Sequence, residues 1–73
     1  MQENYLDATR KRMRTAGADA FNRGKPCVPG LDILWELERL SDQSKGYAKL
    51  TAEAWRLGWK AQAALVERVR GAA

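Results

Sequence analysis

The sequence predicts an all-α fold, and three observations carry that reading. Apolar residues recur at helical spacing through two long stretches. No stretch alternates β-branched residues with period two, and valine occurs only at Val28, Val66 and Val69, so a sheet has little to be built from. Gly24 to Gly30, which includes Pro26 and Pro29, and the polar stretch around Gly46 divide the chain into three segments. The expected architecture is one small domain over residues 1–73. Two long antiparallel helices, over about residues 5–23 and 45–70, enclose a short helix over about 31–40.

The first segment is marked by Asn4 as an N-cap and by Asp7 in the first turn, where the helix dipole favours a carboxylate. At 100° per residue, Leu6, Met13, Gly17, Ala20, Phe21 and Gly24 fall on one side, while Lys11 and Arg14 project elsewhere. That face is narrow and built from small residues. A glycine inside a helix costs up to ~1 kcal/mol relative to alanine, so Gly17 implies a close approach of another helix at that point.

The third segment separates its faces clearly. Tyr47, Thr51, Trp55, Gly58, Trp59, Gln62, Leu65, Val66 and Val69 share one side, and Lys49, Glu53, Arg56, Lys60 and Glu67 share the other. Lys49 with Glu53 and Glu53 with Arg56 have the spacing of helical ion pairs, worth ~0.2–0.5 kcal/mol each. Arg68 and Arg70 stand in the last turn, with Gly71 in the C-cap position.

In the middle segment, Leu31, Leu34 and Trp35 cover one side and Ile33, Leu37 and Leu40 much of another. Two long helices alone do not bury all of this, which leaves room for a second chain, either another copy or a different protein. Charge is segregated too. The middle segment is acidic, with Asp32, Glu36, Glu38 and Asp42 against Arg39, and lies between two basic segments.

Composition bounds the function. Seventy-three residues with 45% hydrophobic and 30% charged content make a small folded domain, not a multidomain enzyme. A net charge of +4 turns the partner list toward polyanions. One cysteine cannot form an internal disulfide, and with no histidine there is no Cys/His zinc site, no His-based acid-base chemistry and no Ser-His or Cys-His pair. No enzyme activity, metal or cofactor is therefore expected. No apolar run approaches the ~20 residues of a membrane span, and Met1 to Asn4 lack the order of a secretory signal, so an intracellular, cytoplasmic location is expected. Cys27 reads as a partly buried structural thiol, with a reactive thiol beside Lys25 as the alternative.

Three pieces stand in order: Gly17-x-x-Ala20-x-x-x-Gly24, then Cys27 and Pro29 in a loop, then Trp55-x-x-Gly58-Trp59 followed by Lys60. In this the chain resembles the ribosome modulation factor family, across about 45 residues in two blocks. Its members carry G-x-x-A-x-x-x-G, a Cys-Pro-Tyr or Asn-Pro-Tyr loop, and W-x-x-G-W. Here Val28 stands between Cys27 and Pro29, Gly30 replaces the aromatic, and the stretch from Leu31 to Leu50 lengthens the usual connection. The resemblance implies two helices that bind the small ribosomal subunit beside the end of its 16S RNA and favour inactive ribosome dimers. One branch is named for ciprofloxacin resistance and described as modifying the drug with ATP, but no Gly-rich loop followed by Lys and Ser or Thr is present to cradle a phosphate.

Read from the residues themselves, Gly17, Ala20, Phe21, Gly24, Trp55, Gly58 and Trp59 form a structural interlock, with base stacking by Trp55 or Trp59 as the alternative. Arg10, Lys11, Arg12 and Arg14 spread around the first helix, and Arg23, Lys25, Arg56 and Lys60 extend a basic surface that either contacts RNA phosphates or serves as a solvated face. Leu31, Leu34, Trp35, Leu37 and Glu38 are either core or the contact for a protein partner or second copy. The leading expectation is a ribosome- or RNA-binding regulator. The alternative is a small protein-binding inhibitor or adaptor, of phage or bacterial origin, that acts through the acidic Trp-containing helix.

Overall fold

The computed structural model describes residues 5–72 and consists of three α-helices: α1 Tyr5–Asn22, α2 Ile33–Ser41 and α3 Tyr47–Ala72, with one 3-10 turn at Pro29–Leu31. No strand occurs among the described residues, and the all-α class with two long helices and a short one is as expected. The expected Asn4 cap lies outside the described residues.

α1 ends in a Schellman motif. Gly24 adopts φ +75°, the Gly24 amide donates to the Phe21 carbonyl (3.0 Å), and the Lys25 amide donates to the Ala20 carbonyl (2.9 Å). Gly24 was expected to admit the facing helix, but nothing lies within 4 Å of where its Cβ would stand. Its task is the left-handed turn that stops α1. At α2, the Asp32 carboxylate accepts from the Leu34 amide (3.0 Å) and sets the first turn. At the far end, Gly71 lies inside α3 and is not its cap, and the helix runs on to Ala72.

The two long helices run parallel, not antiparallel. Tyr5, at the start of α1, stacks on Tyr47, at the start of α3, with ring centroids 6.4 Å apart. Further along, Gly17 meets Trp55, Phe21 packs edge-on to Trp59 (5.1 Å), and the Gln62 amide donates to Asn22 (3.1 Å). The reason is the length of the connection. A tight turn would force a hairpin, but here α2 carries the chain back toward the start of α1 before α3 sets out, with Asp32 beside Trp55 and Glu38 beside Tyr47. Because α1 stops level with Gln62, the last turns of α3 overhang it. Leu65 and Val69, expected on the core face, are therefore exposed.

The core is thin. Met13, Ala16, Ala20, Ala54 and Trp55 form it, with Cys27, Trp35 and Trp59 packed half-buried against it. Trp55 is only 1% exposed. All three indole N–H groups donate across the fold: Trp55 to Asp32 Oδ2 (2.7 Å), Trp35 to Thr51 Oγ1 (3.1 Å) and Trp59 to the Lys25 carbonyl (2.9 Å). Each tryptophan thus fixes an orientation as well as filling space. Thr9 and Thr51 are also fully buried, because their hydroxyls donate to the carbonyls of Tyr5 and Tyr47 one turn earlier.

A polar cluster ties the three helices together near the α1 start. The Arg12 guanidinium donates to Glu38 Oε1 (3.1 Å), and the Tyr47 hydroxyl donates to Glu38 Oε2 (2.6 Å). Burial raises the Glu38 carboxyl, but donation from Tyr47, Arg12 and Ser41 outweighs it and holds the group below its ordinary value. A carboxyl depressed in the folded state adds stability above its unfolded pKa, and that contribution is lost as pH falls through the folded value. Glu38→Gln is therefore expected to cost about 1 kcal/mol near neutral pH and to flatten the acid side of the stability curve below about pH 4.5. Urea unfolding at a series of pH values checks this, and an unchanged acid limb refutes it.

Candidate nucleic-acid interface

The described chain is a flat body, with Cα extents of 45 × 33 × 15 Å, so the two sides of the α1/α3 pair face different surroundings. α2 covers one side. On the other, Arg10 and Arg14 of α1 meet Lys49, Leu50, Glu53 and Leu57 of α3 along an open groove that no α2 residue lines. Neither expected helical pair of Glu53, with Lys49 or with Arg56, is among the ion pairs of the described residues, and Arg14 also has no ion-pair partner there. Arg10 pairs with Asp7 (3.2 Å) on the surface, an exposed contact that screens easily.

The eight cations expected to form one basic surface divide among several faces. Arg10 and Arg14 flank the groove, while Arg56 and Lys60 lie along the exposed stripe of α3. Lys11 and Arg12 line the opposite cleft, against Leu34 and Glu38, and Arg12 is committed to Glu38. Arg23 and Lys25 line a further cleft over Trp55, and Arg23 pairs with Asp19 (3.5 Å). Lys49 belongs to the groove although sequence reasoning did not place it there, since its spacing to Glu53 assigned it to a helical ion pair. Of the two tryptophans considered for base stacking, Trp55 is too buried to present a ring face, and Trp59 is half-buried with its N–H already used.

The acids of the middle segment are spent inside the molecule. Glu36 pairs with Arg39, Glu38 with Arg12, and Asp32 holds the Trp55 indole and the α2 cap. Asp42 accepts from Ser44 and from the Tyr5 hydroxyl, which hold its carboxyl low while Asp42 raises the Tyr5 phenol. These four acids are thus offset within the molecule, whereas the groove brings Arg10, Arg14 and Lys49 together with Glu53.

The partner-contact set is likewise split. Leu31, Leu34 and Leu37 are exposed, but Trp35 and Glu38 turn inward onto α3 and α1, where they serve the fold. Among the described residues no group of three His, Cys, Asp or Glu side chains is placed to hold a metal ion, and no helix is long and apolar enough to cross a membrane. No family model, curated protein or solved structure matches this chain.

Proposed function

We propose that this is a cytoplasmic RNA- or ribosome-binding regulatory protein that grips the phosphate backbone along the α1/α3 groove. The observation that supports the reading best is the convergence of Arg10, Arg14 and Lys49 on one groove that holds a single acid, Glu53, while Arg56 and Lys60 stand on the exposed stripe of the same helix and the acids of α2 are paired within the molecule. Leu50 and Leu57 give the groove an apolar floor for ribose and base faces. The sequence resemblance to the ribosome modulation factor family points the same way, and two of the glycines it rests on, Gly17 and Gly58, stand at the crossing of α1 and α3.

The test is the salt dependence of binding to a fluorescein-labelled RNA hairpin and to purified small ribosomal subunits. Each phosphate contact adds about 0.7–0.9 to the log-log slope, so five engaged cations predict a slope near −4 between about 50 and 200 mM salt. The double variant Arg14→Gln/Lys49→Gln is expected to lower that slope by about 1.4–1.8. Arg12→Gln should leave the slope unchanged and lower stability instead. An unaltered slope in the double variant, or an equal loss from Arg12→Gln, overturns the reading.

The adaptor reading keeps one supporting observation, the exposed apolar face of α2. With its indole bonded to Thr51, Trp35 is not an available anchor, so Trp35→Ala would report on stability and not on partner capture.

A further inference from the structure

α2 has no buried residue, although it is the most apolar of the three helices per turn. Its outer face carries Ile33, Leu37 and Leu40 at positions i, i+4 and i+7, 66%, 58% and 52% exposed, with Leu31 and Leu34 beside them. One flank of that stripe holds Glu36 and Arg39, partly exposed and bonded to each other, with the Arg39 guanidinium also over the Trp35 ring. The occupant that fits best offers an apolar stripe of the same length and the opposite order of charges along its flank, so that this pair can exchange partners. A second α2 running antiparallel meets both conditions.

We propose that two copies of this chain pair through α2 about a two-fold axis near Leu37. Ile33 of one copy then lies beside Leu40 of the other, Leu37 packs on Leu37, and Glu36 of each copy comes opposite Arg39 of its mate. The interface is isologous and closes after two copies. A parallel pairing loses the charge exchange and aligns the helix dipoles side by side. The five exposed side chains represent about 1,000 Å² over both copies, the lower edge of specific interfaces, so the dimer is a reversible one. It leaves the α1/α3 groove clear, since α2 lines no part of it, and it does not depend on the RNA reading.

Sedimentation velocity without RNA, from about 10 μM to about 1 mM, tests this. The mass is expected to rise from 8.2 kDa toward twice that value and stop there. Leu37→Glu should hold it at the monomer with helicity unchanged. Glu36→Arg alone should weaken pairing by tenfold or more, and Glu36→Arg/Arg39→Glu should restore it, because the doubly inverted flank is again complementary to itself. A constant monomer mass, growth beyond the dimer, or failure of the double inversion to restore pairing each overturns the proposal.

Discussion

Gly58→Ala is expected to leave the protein largely unfolded at room temperature, with Gly17→Ala close behind. A β-carbon on Gly58 would stand 1.9 Å from the Arg14 carbonyl oxygen and 2.6 Å from two further Arg14 backbone atoms. One on Gly17 would stand 1.9 Å from the Trp55 carbonyl oxygen. In both cases the carbonyl three residues before one glycine lies against the other glycine, so α1 and α3 cross backbone to backbone through a reciprocal contact. The clashing atoms belong to helical main chain and cannot rotate away. Only separation of the helices relieves them, and separation opens the seam that Met13 and Trp55 fill.

Overpacking of this kind costs about 3 kcal/mol or more, against a helix-propensity gain from alanine of at most about 1 kcal/mol. A domain of this size holds only about 3–5 kcal/mol in total, so the loss approaches the whole. Gly71→Ala is the matched control, because it lies in α3 with nothing within 4 Å of the added carbon. It is expected to be neutral or to gain a few tenths of a kcal/mol near a helix end. Urea unfolding followed by circular dichroism separates the cases. Gly58→Ala with wild-type stability would mean that the helices do not cross there.

That crossing was legible in the sequence, because a glycine weakens the middle of a regular helix, and a Trp-x-x-Gly-Trp pattern on a second helix supplies the backbone that needs the missing side chain. The direction of the helices was not. Periodicity assigns a face to each helix and says nothing of which way it runs, and the return path along α2 depends on contacts such as Asp32 with Trp55 that span 23 residues. Gly24 meets a related limit: a glycine needed for close approach and a glycine needed for positive φ look the same in one sequence.

Thr51 falls on the core face of α3 by its spacing alone, whereas Thr9 is invisible to a pattern that counts apolar residues. A threonine whose hydroxyl is satisfied by its own helix buries as readily as a valine. The basic cluster of α1 and its spread around the helix were visible, but which cation meets an acid was not. Arg12 finds its acid in Glu38, 26 residues away, whereas Arg14, two positions on, has rotated 200° to the other side of the helix.

Asp32→Ala is expected to be the most damaging substitution of a polar side chain. This carboxylate does two jobs with two oxygens: Oδ1 accepts from the Leu34 amide as the α2 cap, and Oδ2 accepts from the Trp55 indole. Alanine removes the cap, worth about 1 kcal/mol, and strands an indole N–H in the core, which costs about 1–3 kcal/mol. The combined loss of about 2–4 kcal/mol is comparable to the stability available.

Asp32→Asn separates the two roles. An amide has a single acceptor oxygen, so it can serve the cap or the indole but not both, and the expected cost is intermediate, about 1–2 kcal/mol. Trp55→Phe removes the donor, and in that background the difference between aspartate and asparagine should shrink to the cap alone, where the two residues are near equals. A double-mutant cycle by urea unfolding reads this directly. A coupling energy near zero would show that the indole draws nothing from Asp32, and the return of α2 onto α3 would then rest on the Trp35–Thr51 and Tyr47–Glu38 hydrogen bonds.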